Sequence, residues 1–172
     1  MSTHDKYVVD TNVPITANCV PDTEVSAELV LACVEHIEQI VNNGGLVLDR
    51  EGEIFNEYSD NLSAQGQLGV GNKFFIWIAN NQWYENKVTR VEIHKNEDSY
   101  EEFPEHPDLK NFDISDRKFV AVSNAHPDKP AILEATDSKW WGWKDALKEV
   151  GIEVRFLCPE YVEKKFKEKM LK

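Results

Sequence analysis

The chain has 172 residues, 41% of them hydrophobic and 10% aromatic, and a formal net charge of −12. That length fits one domain able to bury roughly two-thirds of its unfolded surface, and no stretch approaches the ~20 apolar residues that a membrane helix needs. So acidic a balance opposes indiscriminate adhesion to nucleic acid, because a polyanion is repelled by the summed field; such a substrate has to be gripped locally, or a basic partner has to neutralise part of the charge.

The opening residues 1–6 are polar and lead straight into an apolar run, unlike a signal peptide. Cys19, Cys33 and Cys158 are odd in number, far apart and without a CxxC pair, which reads as a reduced, cytoplasmic protein.

The first expected strand is Tyr7 to Val9. Pro21 to Glu24 gives a helix start, and Val30, Cys33, Val34, Ile37, Ile40 and Val41 recur at helical spacing until Gly44-Gly45 stops the helix. Leu46-Val47-Leu48 is a short, wholly apolar strand of the parallel kind. A helix over residues 51–62 follows, with Ile54, Phe55, Tyr58 and Leu62 as its apolar face, then a second over 73–83, apolar all round and read as buried. Residues 84–112 change character: Val88 to Ile93 alternates like a strand, and Asn96 to Asp108 is rich in acid and proline. This reads as an insertion or surface arm at about 84–112 within a single domain spanning 1–172.

Regularity resumes at Ser115, an expected N-cap, with a helix to about His126. Ala131 to Leu133 is a strand, Trp140 to Val150 a helix closed by Gly151, Val154 to Leu157 a last strand, and Pro159 opens a lysine-rich terminal helix. Strands alternating with helices predict an α/β fold, a three-layer α/β/α sandwich with a central parallel sheet.

Four acids stand at the ends of these elements: Asp10 after the first strand, Glu57 beside a helix stripe, Asp116 opening a helix, and Asp137 after the strand at Ile132. Singly, Asp116 reads as a helix cap and Glu57 as a solvated flank. Asp10 and Asp137 are harder to explain that way, because strand ends inside a sheet offer little water and an unpaired carboxylate there is costly. If the two strands are neighbours, their carboxyl ends and the helix starts share one rim. Carboxylates crowded there repel one another unless a divalent cation neutralises them, and Mg²⁺ or Mn²⁺ suits an all-oxygen set.

Val9-Asp10-Thr11-Asn12-Val13, Glu57 in Phe55-Asn56-Glu57-Tyr58, Ser115-Asp116-Arg117-Lys118-Phe119-Val120-Ala121-Val122 and Ala135-Thr136-Asp137-Ser138 together resemble, in order and over nearly the whole chain, the PIN-domain ribonucleases. The resemblance implies that Asp10, Glu57, Asp116 and Asp137 are catalytic and hold one or two metal ions, with Asn12, Thr136 and Ser138 in support. It implies an endoribonuclease in which metal-activated water attacks an RNA phosphodiester. Many PIN proteins carry a further acid two places after the last; here that place is Lys139, which leaves one ion and two ions both open. Asp113 lies near enough to Asp116 to share the site. Toxin–antitoxin systems, phage defence and RNA processing are all open settings, as are a regulatory protein partner and a homo-oligomer. The rival reading is a catalytically inactive PIN-like protein-interaction module.

Other motifs carry less. Gly66 to Lys73 departs from a phosphate loop, because Asn72 separates glycine from lysine and Phe74 replaces the metal-binding hydroxyl. A haloacid-dehalogenase-like phosphatase would want an acid where Asn12 stands. Trp140, Trp143, Leu147 and Val150 share a helical stripe and read as core. Trp141 shares another face with Lys144 and Lys148, a candidate nucleic-acid contact weighed against simple packing. The five histidines show no ligand spacing.

Overall fold

A computed structural model describes residues 5–19, 21, 24–65 and 68–171. Five strands form one parallel sheet: β1 (Tyr7–Val9), β2 (Leu46–Asp49), β3 (Val88–Val91), and two further strands, Ala131–Glu134 and Val154–Phe156, in the spatial order β3, β2, β1, Ala131–Glu134, Val154–Phe156. Helices flank the sheet in a three-layer α/β/α sandwich, as the alternation of strands and helices predicts. Tyr7, Val8 and Val9 pair with Ala131, Ile132 and Leu133, so the expected neighbours are neighbours in register.

Each central strand is only three or four residues long and wholly apolar except at its carboxyl end, which is how a strand covered on both faces reads. Between β1 and β2 run a short helix, α1 (Asn12–Ala17), which the sequence pattern did not reveal, and α2 (Ala27–Asn43). Ser26 caps α2 by accepting from the Leu29 N–H at 3.2 Å. The helix start expected at Pro21 to Glu24 thus moves to Ala27, and Asp22 and Thr23 lie outside the described residues. Leu29, Cys33, Ile37 and Ile40 form the buried stripe of α2, and Gly44 and Gly45 end it with positive φ.

After β2 come α3 (Glu53–Asn61) and α4 (Val70–Asn81). The expectation that the second of these is buried all round is corrected. Phe74 and Ile78 are fully buried, whereas Phe75, Ile76 and Trp77 are half-buried and Trp83, past the helix end, is exposed. Only one face of α4 meets α1 and α2; the aromatics of the other cover its flank, Phe75 stacking on Phe55 at 5.4 Å and Arg90 lying 4.2 Å over the Trp83 ring. Gly66 and Gln67 lie outside the described residues. The rest of that glycine-rich run is packing: a Cβ at Gly71 would fall 1.9 Å from the Pro14 carbonyl oxygen, and Asn72 is bonded to Asn18 in both directions.

The stretch read as an arm divides in two. Val88–Val91 is the edge strand β3 of the central sheet, while β4 (Lys95–Asn96) and β5 (Ser99–Tyr100) make a separate hairpin. The remainder returns to the core through Leu109 and Phe112; Phe112 meets Trp140 edge-on at 5.0 Å and Trp143 at 4.2 Å. Helix α5 (Arg117–Ala125) follows a turn of 3-10 helix at Ile114–Asp116, so the N-cap position falls on Asp116 and the exposed Ser115 does not cap. The strands Ala131–Glu134 and Val154–Phe156 are β6 and β7, separated by α6 (Lys139–Glu149) and followed by α7 (Pro159–Met170). Trp140 and Leu147 are fully buried, with Trp143 and Val150 packed partly buried against the same core. Among the described residues no helix is long and apolar enough to cross a membrane.

Candidate metal centre

In a sheet of this order the chain leaves β1 in one direction to build β2 and β3 and in the other to build β6 and β7. Open α/β sheets place their ligands at the carboxyl ends of the two strands that flank such a reversal, here β1 and β6. Asp10 follows β1 and Glu134 ends β6. Both are buried, Asp10 at 4% and Glu134 at 0% exposure.

Asn12 joins the two strand ends. Its Oδ1 accepts from the N–H of Ala135 at 2.9 Å and of Thr136 at 3.2 Å, and its Nδ2 donates to Glu134. Thr136 therefore supports the rim through its backbone. Ser138 is buried with a hydroxyl that finds no partner among the described residues. Tyr58 of α3 donates its hydroxyl to the Val9 carbonyl, tying α3 to the same end of β1.

Burial dominates the electrostatics. It raises Asp10 to about 6, against the pull of a hydrogen bond from Glu134, with the charges of Glu57 and Asp137 adding to the rise. Glu134 is pushed well above the carboxylate range by burial and then by Asp10. A neutral Glu134 donates to an ionised Asp10, the natural resolution for two buried acids sharing a proton. With both ionised, Asp10 Oδ2 and Glu134 Oε2 would have no donor at all.

Asp116 occupies the N-cap position of α5, yet its carboxylate makes no capping bond. Burial, then Asp10, Asp137, Glu57 and Asp113, raises it to about 8. Asp137 accepts from the Lys139 N–H at 3.1 Å, so it serves the start of α6 as well. One carboxylate oxygen from each of Asp113, Asp116 and Asp137 lies within 4.8 Å of the other two. Glu57 stands apart from that trio: Thr11 donates to one of its oxygens and Lys118 Nζ sits 2.7 Å from the other. Lys139 Nζ approaches Asp113 at 2.9 Å.

The donor set fits a hard cation. All of it is carboxylate oxygen, and three groups converge, with Asp10 buried nearby. Comparison with family models, with curated proteins and with solved structures finds no match. The site therefore speaks through its own geometry.

Two buried acids escaped the sequence reading. Glu134 carried a usable signal, an acid as the last residue of an apolar strand. Asp49 had the same signal at the end of β2, but it accepts from the N–H groups of Glu53 at 2.8 Å and Ile54 at 2.9 Å and is a structural cap of α3. Trp141, Lys144 and Lys148 follow one another along α6, and the two lysines line the same pocket. Lys144 lies 4.6 Å over the Trp141 ring, which also packs on Phe156 at 5.3 Å, while Lys148 is exposed farther along α6. His4 lies outside the described residues. His94 gathers Glu92, Glu101 and Glu102, but on the exposed hairpin, where the ion pairs account for the grouping.

Proposed function

We propose that the chain is a PIN-type, Mg²⁺- or Mn²⁺-dependent endoribonuclease acting on RNA in the cytoplasm. The observation that carries this reading is the convergence of Asp113, Asp116 and Asp137 beside the buried Asp10 at the reversal point of a parallel sheet. The ordered resemblance of the strand-end and helix-start residues to that family supports it. Asp113, Asp116 and Asp137 would hold the cation, with Asp10 behind them. When bound, such a cation supplies a Lewis acid that activates water and offsets charge on the departing oxygen.

The chain's own residues set the conditions. Asn12 fixes the two strand ends against each other, so the acids keep their spacing. A protonated Glu134 holds Asp10 oriented and ionised. Lys139, 55% exposed at its side chain, can leave Asp113 for a substrate phosphate, which gives a strongly acidic protein the local grip it needs. Control by a protein partner or by self-association fits the charge of −12.

A second reading, an inactive PIN-like interaction module, draws on the same lysines, because Lys118 on Glu57 and Lys139 on Asp113 neutralise acids in place. RNA cleavage by the wild type and by Asp10→Asn, with Mg²⁺ or Mn²⁺ present, separates the two. The nuclease reading expects metal-dependent cleavage that drops at least 100-fold in the variant, the scale of a lost electrostatic contact. Failure to cut any RNA, together with no Mn²⁺ uptake in titration, would sink it.

A further inference from the structure

We infer that Lys118 fills the Glu57 end of the carboxylate rim as a built-in cation and limits the site to a single divalent ion at the Asp113, Asp116 and Asp137 end. This rests on the reading of the rim as a metal site and adds to it where the ion sits and how many are taken.

Both oxygens of Glu57 already have donors. Lys118 Nζ is 2.7 Å from Oε1, and Thr11 donates to Oε2. The lysine is held from its other side as well, since Nζ donates to the Ser115 carbonyl and lies 5.3 Å from the Phe119 ring centroid. Its side chain is only 12% exposed and that of Glu57 24%. A divalent ion at Glu57 would have to evict a largely buried ammonium that two acceptors hold, or share a poorly solvated space with it. Like charges a few ångströms apart in such surroundings repel strongly.

The opposite end lacks any such plug. Among the described residues Lys139 Nζ pairs with Asp113; its side chain is 55% exposed and can swing into solvent without leaving a fully buried charge unpaired. Three carboxylate oxygens within 4.8 Å of one another are then left to a divalent ion. In an in-line displacement, positive charge is needed at both the attacking and the departing oxygen. Lys118 cancels the charge of Glu57 and acts through it, as a positioning residue.

The test is calorimetric titration of the metal-free protein with Mn²⁺, read in parallel by the loss of the free-ion paramagnetic resonance signal, for wild type, Lys118→Met and Lys118→Arg. A single ion is expected in the wild type and in Lys118→Arg, and a second, weaker ion in Lys118→Met, whose Glu57 is left free. Two ions bound by the wild type overturn the inference without needing any variant. So does a single ion in a folded Lys118→Met, or a second ion in Lys118→Arg. No Mn²⁺ binding by the wild type removes the metal reading of the rim and this inference together.

Discussion

The side chains of Asn12 and Glu134, 122 positions apart in the chain, are hydrogen-bonded across the gap between β1 and β6. The same Asn12 accepts from the backbone of Ala135 and Thr136, so a single amide satisfies a buried acid and two N–H groups at the point where the sheet changes direction. Neither residue belongs to the converging trio of acids, but Glu134 also accepts from the Asp137 N–H at 3.2 Å and so holds one member of it.

Replacing Asn12 with alanine therefore orphans two N–H groups and leaves the Glu134 oxygen only the Asp137 N–H. An unsatisfied buried group costs about 1–3 kcal/mol, and relaxation and water entry recover part of the total. Asn12→Ala is expected to lose about 2–4 kcal/mol in urea unfolding. A loss below about 0.5 kcal/mol would mean that the clamp contributes nothing, on the same scale.

Glu134 is read as neutral in the metal-free protein. Glu134→Gln keeps an oxygen for Asn12 and gains an N–H for Asp10, so its stability should stay within about 1 kcal/mol of wild type at neutral pH. Glu134→Ala leaves Asn12 and Asp10 unserved and opens a cavity, and is expected to cost about 2–4 kcal/mol. Equal destabilisation by both variants would show instead that the charge of Glu134 is needed.

Asp116 gives the chain a distinctive pH dependence. Its folded pKa of about 8 lies above the ordinary 3.8, so the folded state keeps a proton that the unfolded state has released. That contribution is present in full below about pH 4 and fades as pH rises through about 8. Asp116→Asn carries no such titration. In chelator its stability should match wild type near pH 3.5 and exceed it by several kcal/mol near pH 8.5, a gap that grows by about 1.4 kcal/mol per pH unit between the two pKa values. A gap that narrows with rising pH would contradict the assignment. Mn²⁺ should close the gap at high pH by stabilising the wild type alone.

Gly71 sets how closely α4 approaches α1, the helix that begins at Asn12. With a Cβ there only 1.9 Å from the Pro14 carbonyl oxygen, Gly71→Ala has to push backbone apart. Denaturant unfolding should show a loss of about 2–3 kcal/mol, the upper range for overpacking. Because α1 carries Asn12, Mn²⁺ affinity should fall as well; an unchanged affinity would uncouple the helix contact from the rim.

By itself the sequence determined the strands and the positions of acids along them. Runs such as Tyr7-Val8-Val9 and Ala131-Ile132-Leu133 have one stable use, as short strands covered on both faces, and an acid directly after such a run falls at the sheet's carboxyl edge. That is why Asp10 was legible, why Glu134 could have been, and why the parallel sandwich was. The tertiary structure alone decided which acids meet. Asp113 sits in the trio because the turn at Ile114–Asp116 carries it there, whereas Glu57 is drawn off by Thr11 and Lys118. The buried face of α4 and the place of Val88–Val91 at the sheet edge were likewise fixed by packing. Strand and helix periodicity follow from local backbone geometry, which neighbouring residues encode. The direction of a side chain at an element's end, the partner it finds and the charge it can carry depend on residues far away in the chain, and those distances exist only once it has folded.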